Sequence, residues 1–127
     1  MASKPINASN APAPSGGYSQ AVEIEGAKRI VFVSGQIPVD EAGGVPAAFD
    51  DQARLVWRHV ERQLAAADMT LRNIVKVTTF LSSRDHRDAN SSIRREFLGD
   101  HAPALTVIIA DIYDEAWLLE IEAIAAI

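Results

Sequence analysis

The chain has 127 residues, of which 48% are apolar and only 6% aromatic; it carries a formal net charge of −5 and has no cysteine. That length suits one domain with a single core of Ala, Val, Ile and Leu. The composition excludes disulfides, thiolate nucleophiles and cysteine metal sites, and the acidic balance argues against a phosphate-backbone partner, so no nucleic acid is expected.

Residues 1–15, rich in Pro, Ala, Ser and Asn, read as a flexible N-terminal arm before a single domain over residues 16–127. The arm lacks the basic-then-apolar order of a signal peptide. No stretch approaches the roughly 20 apolar residues of a membrane span. A cytoplasmic protein without membrane contact is the expectation.

Residues 18–25 are predicted as a strand, Gly26-Ala27-Lys28 as a turn, and residues 29–39 as a second strand. The second strand holds Ser34-Gly35-Gln36 in its middle. Glycine weakens a strand interior, so a bulge or a close approach of backbone to a ligand or partner is expected there. Residues 40–46 (DEAGGVP) form a loop. Phe49, Ala53, Val56, Val60, Leu64 and Ala67 recur at steps of three and four, which predicts a helix over about 50–67. Asp50 or Asp51 is expected to cap it. Arg54, Arg58 and Arg62 form a basic stripe, read as a solvated face because Asp51 and Glu61 dilute it.

IVKVTTFL, residues 74–81, is rich in β-branched residues and predicts a third strand. Ala89, Ile93 and Phe97 predict a second helix over about 85–98. Residues 104–112 and 117–127 read as two closing strands joined by Tyr113-Asp114-Glu115. The order ββ-α-β-α-ββ makes an α+β domain, a mixed sheet with both helices on one face. The other face then carries Leu118 and Ile124 beside Glu120 and Glu122, too apolar for plain solvent surface. Burial against another subunit is expected.

Glu120, flanked by Leu118, Leu119 and Ile121, is the best candidate for proton transfer. Glu122 reads as structural. His59, His86 and His101 do not form a spaced ligand set. Asp85, His86 and Asp88 sit together at a helix start, where capping and solvation explain them, so no metal is expected. Ser34 has no neighbouring base, and Gly43-Gly44 lacks the lysine of a phosphate loop.

Four stretches, GYSQAV (17–22), VSGQIPVD (33–40), NIVKVTTFL (73–81) and EIEAIA (120–125), together resemble the reactive-intermediate deaminase (Rid, YjgF-like) family, in family order and over nearly the whole chain from Ala11. The resemblance implies a chorismate-mutase-like fold and a homotrimer with small-molecule clefts between subunits. It implies hydrolysis of enamines and imines to a carbonyl compound and ammonia, with no cofactor and no metal. By the same resemblance Tyr18 closes the pocket, Ser34 and Gly35 contact ligand, Asn90 joins from the second helix, and Glu120 positions or activates water. The sequence departs from the family in HAPALTV. Leu105 stands where an arginine grips a substrate carboxylate, Val107 where cysteine or threonine is common, and Gly16-Gly17 where Gly-Pro is usual.

A guanidinium binds a carboxylate through two parallel hydrogen bonds, and leucine offers only apolar surface. The expected substrate is therefore a small enamine or imine other than a simple 2-imino acid. Whether Arg94 or Arg95 reaches into the pocket is left open by the sequence. The alternatives are a metabolite-binding trimer without turnover and, least favoured, an endoribonuclease or translation inhibitor.

Overall fold

The computed structural model describes all 127 residues. The apolar spacing of the first helix is realised in α1, Phe49–Ala66, which buries Phe49, Ala53, Val56, Trp57, Val60 and Leu64 along one face. Neither Asp50 nor Asp51 caps it. The N-cap is Ala48, with no side-chain bond, and both carboxylates lie in the first turn, where they act by charge on the positive helix end. The second helix, α2, is Arg87–Leu98. A short 3-10 turn over Arg84–His86 precedes it, capped by Ser83 rather than by the Asp85–Asp88 group.

Both helices pack on a four-stranded sheet of β3 (Ile30–Gln36), β6 (Leu119–Ala126), β4 (Ile74–Leu81) and β5 (Ala104–Ile109), in that spatial order. β6 is antiparallel to both of its neighbours, and β4 and β5 run parallel, with α2 in the connection between them. Strand alternation turns Leu119, Ile121, Ala123 and Ala125 into the core. They meet Trp57, Val60 and Leu64 from α1 and Ile93 and Leu98 from α2. The fold is α+β, as the element order predicts, and chorismate-mutase-like, as the family resemblance implies. No helix is long and apolar enough to cross a membrane.

The opposite sheet face has no helix over it. Phe32 on β3 is 75% exposed, and Ile30 and Ile108 are exposed as well. Register sets Phe32 beside Ile124, and Glu120 beside Phe80. The uncovered semi-apolar face is thus present and carries Ile124 as expected, but Leu118 is not on it: it precedes β6 and packs against the core.

The N-terminal part differs from expectation. Residues 2–6, read as part of a flexible arm, form β1 (Ala2–Ile6), which pairs antiparallel with β2 (Ala21–Glu25). The predicted strand over 18–25 is shorter than expected, and it pairs with β1 instead of forming a hairpin with β3. Strand propensity identified β2 but neither β1 nor the pairing, because pairing is settled by tertiary context. Ser19 is held at the other sheet edge, donating its amide to Pro103 O at 3.0 Å and its hydroxyl to Ala102 O at 2.6 Å.

Two of the three histidines are structural. His59 Nε2 lies 2.8 Å from Val39 O, and His101 Nε2 lies 2.7 Å from Ile74 O. His86 stacks on Phe49 with ring centroids 4.4 Å apart.

Candidate functional site

The residues singled out by sequence fall into two groups. The first lies between β3 and β6. Val33 pairs with Ala123 and Gln36 with Ile121, so three steps along β3 match two along β6. The extra residue is a bulge at Ser34-Gly35, as the glycine in mid-strand predicts. The glycine there has a steric reason. A Cβ built on Gly35 would fall on the Glu120 carboxylate, 2.8 Å from Cδ and 3.0 Å from Cγ. Glycine at 35 lets the carboxyl lie flat against backbone. Gln36 Nε2 donates to Ser34 O at 3.0 Å and fixes the turn of the bulge.

The start of β6 is held by a residue that sequence reasoning passed over. Gln52, on the buried face of α1, accepts from the Leu118 amide at 2.8 Å and donates to Pro46 O and Ala116 O at 2.8 and 2.9 Å. This is a fully satisfied buried amide, two residues ahead of Glu120.

The second group lies against α2 and the outer edge of β5. A cleft of about 360 Å³ is lined there by Tyr18, Asn90, Arg94, Leu105 and Val107, among others. Arg87, Asn90, Ser91 and Arg94 come from one face of α2 at steps of three and four. The two bonds of Ser19 to the chain before β5 place Tyr18 at the cleft mouth. There the Ser15 amide donates to its hydroxyl at 3.3 Å, and hydrogen bonding with Ser15 lowers the phenol pKa.

Of Arg94 and Arg95, whose reach the sequence left open, only Arg94 lines the cleft. It is 5% exposed, its Nε has no partner, and Nη2 donates to Ser91 Oγ at 3.3 Å. Burial, and then the nearby Arg95 guanidinium, lower its pKa from the usual arginine value. The i+4 spacing from Asn90 was the signal that could have found it.

The two groups do not meet within one chain. Glu120 shares a sheet face with Phe80 and Ile108, whereas Leu105 and Val107 alternate to the helix-covered face. β4 also stands between β6 and β5.

The sequence profile described as Endoribonuclease L-PSP matches residues 8–127. The chain belongs to this family, the Rid or YjgF family. A RutC family protein of Pyrococcus horikoshii is 35% identical over 118 residues, 91% of each chain. The TdcF protein of Escherichia coli, whose name includes the words reactive intermediate deaminase, is 32% identical over 126 residues, 96% of this chain and 95% of its own. Among solved structures, E. coli TdcF with bound serine superposes with a TM-score of 0.73 at 34% identity, covering 98% of both chains. The Rid-family protein YyfB of Yersinia pestis gives 0.87 at 24% identity over 100% of both, a likeness of fold. Within the Rid fold, Tyr18, Asn90, Leu105 and Val107 gather at one cleft, while Ser34, Gly35 and Glu120 stand at another place on the sheet.

Proposed function

We propose that this Rid-family chain hydrolyses a small enamine or imine to a carbonyl compound and ammonia, in clefts between the subunits of a homotrimer. The observation that carries the reading is the division of the site. One chain holds the candidate base on its open sheet face and the substrate-sized cleft on the other, and a semi-apolar face containing Phe32 is left to be covered. Packing the open face of one protomer near the β5 edge of the next closes a site that neither has alone. The names of relatives such as TdcF support the reaction class.

In that site Glu120 accepts a proton from water as the water oxygen adds to the C=N carbon, and passes it to the nitrogen to give the neutral aminol. The aminol hydroxyl proton then passes through the same carboxylate to the nitrogen, the C–N bond breaks, and ammonia leaves as the C=O bond forms. An enamine first takes a proton at its β-carbon to become the iminium. Imine and water are consumed and carbonyl compound and ammonia released, so no oxidant, reductant or group carrier is needed for the balance. Positioned proton transfer of this kind contributes about 10²–10⁴-fold.

The test is ammonia release over a panel of enzymatically generated imines, joined to a subunit-mixing experiment. Glu120→Gln removes the base, and Val107→Trp fills the cleft. Each homotrimer is expected to be inactive. Co-refolded one to one, the mixture should regain roughly a quarter of wild-type activity, since statistical pairing restores that share of intact sites in a cyclic assembly. A mixture as inactive as its parents places the site within one chain and ends the inter-subunit reading.

A further inference from the structure

The α2–β5 cleft contains a cation without a counter-charge. Arg94 is 95% buried with an unpartnered Nε, and its neighbours in the lining are Tyr18, Asn90, Ser91 and a second cation, Arg87, with no carboxylate among them. The ion pairs of the chain, Arg54–Glu96 and Arg72–Asp100, lie elsewhere. A buried charge is ordinarily paired and hydrogen-bonded. The wall of the cleft is also cut to fit this side chain. Gly17 has φ +76°, a conformation closed to proline, and a Cβ there would stand 3.6 Å from Arg94 Nη2 and 3.1 Å from Arg95 Nε. Glycine at 17, one departure from the family pattern, therefore stands against this guanidinium, and leucine at 105, another, lines the same cleft.

We propose that the cleft is an anion site in which Arg94, reaching from α2, holds the carboxylate of a small 2-oxo or 2-imino acid, a task Leu105 cannot perform from β5. The Nε–H is unpartnered but buried; a small turn of the side chain that brings it and a terminal N–H to the cleft gives the two parallel donors that a carboxylate accepts. Asn90 and the Tyr18 hydroxyl supply neutral polar groups beside it, and Leu105 and Val107 give an apolar wall for a short side chain. The inference deepens the imine-hydrolase reading and rests on it only for what the carboxylate is attached to. It also revises the expectation, drawn from Leu105 alone, that simple 2-imino acids are excluded.

The probe is pyruvate, compared with the isosteric neutral pyruvamide by calorimetry in buffer free of phosphate and chloride. Wild type is expected to bind pyruvate at least tenfold more tightly, a preference that shrinks as salt screens the contact. Arg94→Gln should erase the preference, and Arg94→Lys, which keeps charge but loses the fork, should retain part of it. Equal binding of the two probes by wild type overturns the inference without any variant, as does a preference that survives in Arg94→Gln. Should Arg94→Gln fail to fold, the side-chain Nε–H NMR signal of Arg94 in wild type decides. It must move with pyruvate and not with pyruvamide, and a stationary signal overturns the assignment. Ammonia release from imines with no pyruvate preference leaves the hydrolase reading standing and removes this one. Pyruvate preference with no ammonia release from any imine does the reverse.

Discussion

The two halves of the site are built by different means. Gly35 and Glu120 are set by register between adjacent strands, β3 and β6, and by a glycine whose missing Cβ makes room for a carboxyl. The α2–β5 cleft is set by a helix face, a strand edge and a loop that Ser19 ties down from far along the sequence. The first half is closely packed and carries an acidic group, and the second is an open cleft that carries cations. Proton transfer and substrate grip are thus assigned to separate parts of the fold, which can be perturbed one at a time.

The strongest way to break that division is to keep protomers apart. Phe32→Glu puts a charge on the open face without touching either half, and activity should fall to background as light scattering reports a 13.7 kDa species. A monomeric variant with full activity would merge the halves into one chain. Next comes Glu120→Gln, which should cut turnover by about 10²–10⁴-fold while pyruvate binding in the cleft stays unchanged. Weakened binding would tie the carboxyl to substrate grip instead.

Gln52→Leu leaves the Leu118 amide and two carbonyls without partners and should cost about 3 kcal/mol of stability. The measurement is denaturant unfolding; a loss below about 1 kcal/mol would show that the start of β6 does not depend on that amide. Gly35→Ala forces the Glu120 carboxyl aside at an overpacking cost of about 1–3 kcal/mol. Turnover should drop with cleft binding intact, and an unaltered rate would show that the carboxyl need not lie against that backbone. Leu105→Arg should have the smallest effect, a change in 2-imino acid hydrolysis below about tenfold, or ~1.4 kcal/mol. Its guanidinium would enter a cleft already holding Arg87 and Arg94. A large gain would show that Arg94 does not hold the acid group.

The sequence carried what repeats locally. Helical spacing from Phe49 to Leu64 located α1 and its buried face, and alternation from Leu119 to Ala125 separated core from open face. The glycine at 35 announced the bulge because glycine in mid-strand has few other uses. What it did not carry was pairing across distance. β2 and β3 look like a hairpin, yet β2 turns to Ala2–Ile6, a segment whose composition resembles a loop. Nor does Gln52 look structural among the polar residues of α1, since its three partners lie at 46, 116 and 118. Arg94 stood on the right helix face at the right spacing, but its terminal nitrogen lies against Gly17, a loop residue far from α2 in the sequence.

The position of β6 also bears on the order in which the molecule comes into being. β6 follows β3, β4 and β5 in the chain yet sits between β3 and β4, which share no hydrogen bonds of their own. During synthesis β4 and β5 can pair early, while β3 waits for a strand more than 80 residues downstream, a delay characteristic of non-local sheets. The same late strand brings Glu120. A nascent chain therefore gains its candidate base only at the moment its sheet closes, and no partly made sheet can present that carboxyl in working position.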